Sequence, residues 1–335
     1  MYNSIITGTG YYVPENIVTN DDLSKLMDTS DAWIQERTGI QQRHFATRGK
    51  DTTTSMGVRA AQMAMEKAKI NKEDIDFLIF ATLSPDYYFP GCGVLAQKEL
   101  GLHTVGALDI RNQCSGFIYA LSVADQFIKT GMYKNILVIA SEMQSPALDL
   151  TTRGRNMAVL FGDGAGAAVL SRSQENGKGI LSSHLHSEGA HAEELAILTP
   201  GVGKKWVTDL LKENDPEDTS YFPYMNGQFV FKNAVVRFSE VIIEGLKANK
   251  LTESDIDLFI PHQANLRISQ FIQQKFKLSD AQVFNNIQKY GNTTAASIAI
   301  ALAEAVEQGH VKENDILLLA AFGSGFTWGS VVIKW

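Results

Sequence analysis

Cys114, within RNQCSG (111–116), follows the apolar run VGALDI (105–110) and precedes FIYALSVADQFIKTG (117–131). It therefore stands where a strand ends and a helix begins. A helix N-terminus offers unpaired N–H groups and about half a positive charge. Both lower a thiol pKa, and the N–H groups can receive the oxyanion formed when sulfur attacks a carbonyl. A cysteine in that place also suits a small buried hydrophobe, because reactivity depends on exposure. Two polar residues further along tip the balance towards chemistry. His262, in IPHQAN, ends a strand-like run, and Asn292 opens NTTAASIAIALAEAVEQG (292–309). An imidazole and an amide beside a nucleophile can donate two hydrogen bonds to a carbonyl that becomes an enolate.

The elements that must bring these residues together can be read from hydropathy. FLIFAT (77–82), ILVIAS (136–141), LFIPH (258–262) and ILLLAA (316–321) are short apolar runs typical of buried strands. Helical patterns such as 52–68 and 231–249 alternate with them, which indicates an α/β protein. The chain also repeats itself. INKEDIDFLIFAT (70–82) resembles LTESDIDLFIPHQ (251–263), and CSGFIYALSVADQFIKTG (114–131) resembles 292–309, each of the latter pair closing on a glycine before another apolar strand. A period of about 180 residues is too long for a solenoid unit and indicates a duplicated domain. The boundary expected is 1–172 for the half with the cysteine and 173–335 for the half with the histidine and asparagine. The two matched helices are apolar nearly all round and so belong between two sheets. The repeat sets Cys114 and Asn292 at equivalent helix starts.

Composition narrows the setting. The 335 residues are 44% hydrophobic and 20% charged, with a net charge of −7, which argues against nucleic acid as the main partner. Two cysteines cannot build a disulfide framework, which points to a reducing compartment. MYNSIITGTGYYVPEN lacks the features of a secretory leader, and no run has the ~18 apolar residues of a membrane span, so a cytoplasmic location is expected.

Taken together, SDAWIQERTGI (30–40), DIRNQCSGFIYAL (109–121), LFGDGAGAAVL (160–170), PHQANLRI (261–268), YGNTTAASI (290–298) and AFGSGFTWGS (321–330) resemble the β-ketoacyl-acyl carrier protein synthase III family of the thiolase superfamily. The resemblance implies a homodimer with the five-layered αβαβα fold, no metal or bound cofactor, and a role in fatty acid biosynthesis. Cys114 would take an acyl group from a coenzyme A thioester. His262 and Asn292 would hold the thioester carbonyl of malonyl-acyl carrier protein while it loses CO₂, and the carbanion would attack the acyl-cysteine. The backbone N–H groups of Cys114 and Ser324 would form the oxyanion hole, although the family commonly has glycine at the latter position. Trp33 and Arg153 would hold the adenine of coenzyme A, and Arg37 would meet its phosphates. Phe89 would close the partner subunit's acyl pocket, and Lys232 and Arg267 would meet the acidic carrier protein.

The chain departs from that pattern in places. Arg111-Asn112-Gln113 replaces a small, alanine-rich run, and 199–226 is longer than usual, with Trp206, Tyr221 and Phe222 able to cap a pocket. Gln228 stands where asparagine is common. Three other features carry little functional weight. GDGAGA (162–167) fits a dinucleotide fingerprint, but a strand rather than a helix follows it. HLHSEGAH (184–191) has zinc-like residue types but reads as structural, and Cys92, beside Gly91 and Gly93, reads as a loop residue. Two alternatives to a decarboxylative ketosynthase remain: a relative that joins other acyl or β-keto chains or transfers acyl groups to oxygen or nitrogen, and a non-catalytic partner subunit.

Overall fold

The computed structural model describes residues 2–175, 177–199 and 218–335, so Trp206 lies outside the described residues. Nine strands form two main sheets: β1 (Asn3–Tyr12), β2 (Phe77–Ala81), β3 (Gly106–Ile110), β4 (Asn135–Glu142), β5 (Gly164–Ser173), β6 (Gly179–Ser187), β7 (Leu258–Pro261), β8 (Ile316–Gly323) and β9 (Thr327–Lys334). The first sheet runs β1-β5-β4-β2-β3, with β4, β2 and β3 parallel and β5 antiparallel to its neighbours. The second runs β6-β9-β8-β7 with the matching pattern of directions. An isolated parallel bridge between Phe259 and Val283 stands where the first sheet has β3.

The principal helices are α1 (Asp31–Thr38), α2 (Thr53–Ala68), α3 (Cys92–Leu100), α4 (Gly116–Lys129), α5 (Gly227–Ala248), α6 (Leu266–Lys275) and α7 (Ala296–Glu307). Helices α2 and α3 cover the outer face of the first sheet, α5 lies on the second with α6 against it, and α4 and α7 fill the space between the sheets. The result is five layers, αβαβα. The central pair is buried because it is apolar on every side: Phe117, Ile118, Leu121 and Ile128 of α4 and Ile298, Ile300 and Leu302 of α7 share one core. Each such side chain contributes about 2 kcal/mol by leaving water.

Gly116 is the point at which these two helices approach one another. A Cβ there would lie 3.2 Å from Ala295 Cβ and 3.3 Å from Ala81 Cβ. The absence of that side chain lets the start of α4 meet the segment entering α7, and so brings the cysteine and asparagine loops together. Among the described residues, no helix is long and apolar enough to cross a membrane.

One sequence expectation needs correction. Cys92 is not a loop residue but the first residue of α3, fully buried, with its thiol pushed up to about 11 by burial. A helix start therefore does not by itself single out a nucleophile. The histidines of HLHSEGAH serve packing: His184 Nδ1 and His186 Nε2 approach Glu244 of α5 at 3.3 and 2.6 Å, and His186 stacks on Trp328.

Candidate active site

Cys114 lies in a single 3₁₀ turn, Gln113–Ser115, between β3 and α4. Gln113 has φ +40°, a left-handed bend that turns the chain sharply just before the cysteine. Gly323, at the end of β8, packs directly on Cys114. A Cβ there would be 2.6 Å from Cys114 Cβ and 3.1 Å from its Sγ, so only glycine allows the approach. The next residue, Ser324, and Cys114 itself both turn their backbone N–H groups to the sulfur.

Even so, burial pushes the Cys114 thiol up to about 12, and the charge of Glu142 adds to the rise. The two N–H groups act in the opposite direction and are outweighed. The lowering expected from a helix start is thus reversed. Desolvation of a thiolate enclosed between two sheets exceeds the pull of two amide dipoles.

His262 follows β7, and its backbone N–H donates to Ala320 at 2.8 Å. Its Nδ1 lies 2.7 Å from the hydroxyl of Ser297 on α7, while Nε2 is buried with no partner among the described residues. Burial pushes the imidazole down to about 3, so the ring is neutral. Asn292 is held through its backbone, with N–H donating to Leu160 at 2.8 Å and C=O accepting from Gly162 at 3.1 Å. Its Oδ1 accepts the Thr294 N–H at 2.9 Å, which assigns the amide orientation and leaves Nδ2 as a donor. His262, Asn292 and Cys114 line one cavity of about 730 Å³.

Glu142, at the end of β4, had no part in the sequence reading. It is fully buried and accepts from the Ser84 hydroxyl (2.7 Å), the Leu83 N–H (3.2 Å) and the Gln144 amide (3.2 Å). A longer contact with the Ala295 N–H at 3.4 Å ties it to the Asn292 loop. Burial raises its carboxyl to about 7 in spite of these donors. Ser297 and Gly323 also escaped the sequence reading. Gly323 stood within AFGSGF, but nothing in the string says what its missing side chain avoids.

The remaining candidates lie around the mouth. Trp33 and Arg37 come together, with the guanidinium 4.4 Å from the ring centroid, and Arg155 sits 5.0 Å from the same ring. Arg153 pairs with Asp149 at 2.6 Å and lies over Phe222 at 5.4 Å. Asn265, at the start of α6, donates to the Arg37 carbonyl at 3.0 Å and so joins α1 to the rim. Lys232 on α5 and Arg267 on α6 are exposed, next to the cavity-lining residues Phe231 and Ile268 respectively. Phe89 is 81% exposed, beside Tyr87 and Tyr88. The Ser324 hydroxyl donates to the Leu195 carbonyl, which anchors the loop after β8 to the short ribbon Leu195–Ala196/Tyr224–Met225 lining the cavity.

Residues 108–189 match the family model for 3-oxoacyl-acyl-carrier-protein synthase III, and 246–335 match the model of its C-terminal part. A β-ketoacyl-acyl-carrier-protein synthase III of Caldanaerobacter subterraneus is 46% identical over 330 residues, covering 98% of this chain and 97% of the relative. The chain belongs to the β-ketoacyl-acyl carrier protein synthase III family. Among solved structures, the synthase III of Aquifex aeolicus superposes with a TM-score of 0.90 at 42% identity, covering 99% of this chain and 100% of that one. The priming β-ketosynthase of the R1128 polyketide pathway gives 0.89 at 31% identity, covering 99% and 96%. As a synthase III, the protein is a ketosynthase acyltransferase, and its five layers are those of the family.

Proposed function

We propose that this synthase III condenses an acyl group from coenzyme A with malonyl-acyl carrier protein, using Cys114, His262 and Asn292. The observation that carries the reading is their convergence on one cavity, with two backbone donors facing the sulfur and two side-chain donors free. In the first half, the Cys114 sulfur bonds to the acyl carbon while the carbon–sulfur bond to coenzyme A breaks. The thiol proton leaves with coenzyme A. The N–H groups of Cys114 and Ser324 hold the oxyanion in between.

In the second half, the malonyl thioester oxygen accepts from His262 Nε2 and Asn292 Nδ2. The bond to the carboxylate breaks, CO₂ departs, and the electron pair becomes an enolate held by those donors. Its carbon attacks the acyl-cysteine, the carbon–carbon bond forms, the carbon–sulfur bond breaks, and the released Cys114 thiolate takes its proton from water. Decarboxylation supplies the carbanion, so no general base is called for. A neutral, buried imidazole suits this work, because it donates a hydrogen bond without surrendering a proton.

Trp33, Arg37 and Arg153 serve the coenzyme A moiety, with aromatic and guanidinium faces able to stack on adenine. Lys232 and Arg267 offer local positive charge to an acidic carrier, effective within about 10 Å at ordinary salt. The free edge of β3 and the exposed Tyr87-Tyr88-Phe89 support a homodimer in which Phe89 closes the partner's pocket. We read the chain as two fused halves, 1–172 and 173–335, acting in the cytoplasm without metal.

The test is intact-protein mass after incubation with a panel of acyl-coenzyme A thioesters, with Cys114→Ala alongside, followed by addition of malonyl-acyl carrier protein. A one-acyl mass gain absent from the variant, discharged with CO₂ release when the malonyl carrier is added, is the expected result. Absence of an adduct with every donor would overturn acylation by coenzyme A.

A further inference from the structure

The cavity lining mixes two unlike kinds of residue. Leu195, Met225, Val230, Phe238, Ile268 and Phe322 are apolar. The same lining also carries the polar Gln144 and, just before Cys114 in the chain, Arg111 and Gln113. Gln144 is accounted for, since its amide donates to Glu142 at 3.2 Å. Arg111, exposed at the cavity, and the half-buried Gln113 are not: neither side chain has a hydrogen bond or ion pair among the described residues. Gln113 is, moreover, the residue held at φ +40°, a conformation that costs a non-glycine residue about 1 kcal/mol or more. Three residues of extended chain span at most about 11 Å, so the Arg111 and Cys114 backbones lie within that distance, and both residues line the one cavity.

A plain hydrocarbon chain suits these two groups poorly. It would strip water from a guanidinium and an amide and return no hydrogen bond, a cost of the kind that makes buried polar groups find partners. An oxygen acceptor on the acyl chain would satisfy both groups, and guanidinium bonds to such acceptors are the strong, charge-assisted kind. Resting on the acylation of Cys114 argued above, we propose that the acyl group taken up by Cys114 carries a second oxygen function, a carboxylate or a ketone, bound by Arg111 and Gln113. Arg111 and Gln113 are then specificity-determining residues, and the enzyme selects oxygenated short acyl donors over fatty ones.

The experiment compares rates of Cys114 acylation, by intact mass, with hexanoyl-, glutaryl- and 3-ketohexanoyl-coenzyme A. At least one oxygenated donor is expected to react 10-fold or more faster than hexanoyl, and which one does so distinguishes carboxylate from ketone. Arg111→Met brings that ratio close to one, and Arg111→Lys, which keeps the charge, restores part of it. Equal or faster reaction with hexanoyl-coenzyme A in the wild type overturns the inference while leaving Cys114 acylation intact. No adduct with any donor would instead remove the acylation itself. Arg111 directly follows the edge strand β3, so sedimentation of Arg111→Met is run in parallel. A variant that dissociates and slows with all donors alike identifies a subunit contact and also overturns the proposal.

Discussion

His262 Nδ1 and the Ser297 hydroxyl lie 2.7 Å apart, and the same hydroxyl oxygen receives the Gln263 N–H at 3.3 Å. The Gln263 N–H takes one lone pair of Ser297 and leaves its hydroxyl free to donate to Nδ1, the arrangement that puts the imidazole proton on Nε2 as the proposed decarboxylation requires. Ser297 thus orients a donor toward the cavity from 35 residues away in sequence. Ser297→Ala should free the ring to take the other tautomer. The expected result is a loss of about 10- to 100-fold in malonyl decarboxylation, less than the roughly 100- to 1000-fold for removing one oxyanion donor outright, because the ring is only released and not deleted. The rate of Cys114 acylation, followed separately by mass, should fall far less. Equal losses in both halves would deny Ser297 this positioning role.

The high Cys114 pKa sets the pH dependence of its alkylation. A thiol at about 12 is protonated throughout the neutral range, and its thiolate fraction rises tenfold per pH unit below that value. Iodoacetamide alkylation of the resting enzyme should therefore keep climbing from pH 7 to 10. A plateau near pH 8 would show a thiol made acidic by its turn.

Glu142 makes a stability prediction. Its folded pKa, about 7, lies above the ordinary 4.5, so between those values the folded state binds more protons than the unfolded one. Stability from this group is complete below pH 4.5 and is lost as pH rises through 7, by up to about 3 kcal/mol. His262, held down at about 3, acts in the opposite sense and costs stability as pH falls below 6.5. The difference between wild type and Glu142→Gln isolates the carboxylate. Urea midpoints at pH 5 and 8 should show the wild type losing ground to the variant at the higher pH, and a constant difference would contradict the assignment.

At Gly323 the constraint is steric. Gly323→Ala places a methyl 2.6 Å from Cys114 Cβ, so either the nucleophile or the Ser324 N–H must move. Acylation is expected to fall by 100-fold or more, with the circular dichroism spectrum and thermal midpoint near those of the wild type. Normal acylation would show that the loop relaxes without cost.

On the coenzyme A role proposed above for Trp33, Trp33→Ala should raise KM for the acyl thioester about tenfold with kcat within a factor of two, the signature of lost binding without lost chemistry. Arg155→Ala, which strips the second guanidinium from that ring, should follow it in direction. An effect on kcat alone would detach Trp33 from coenzyme A binding.

Much of this protein could be read directly from the sequence. Helices that are apolar on every face, in 117–128 and 296–306, have nowhere to go but between sheets, and the repeat paired them correctly. The cysteine, histidine and asparagine were recognisable because each sits at a change of periodicity, where strand or helix ends. Other features arose only when distant segments met. Ser297 reads as one more small residue of α7 until β7 brings His262 against it. Trp33 could not announce that the guanidinium groups of Arg37 and Arg155 would both lie against its ring. The sense of the Cys114 pKa shift was also beyond the sequence, because a helix start is a local property but desolvation is not. Cys92 and Cys114 both stand near helix starts and are both buried, with thiols raised to about 11 and 12. What separates them is the cavity, which exists only because Gly323, His262 and Asn292 arrive from the other half of the chain.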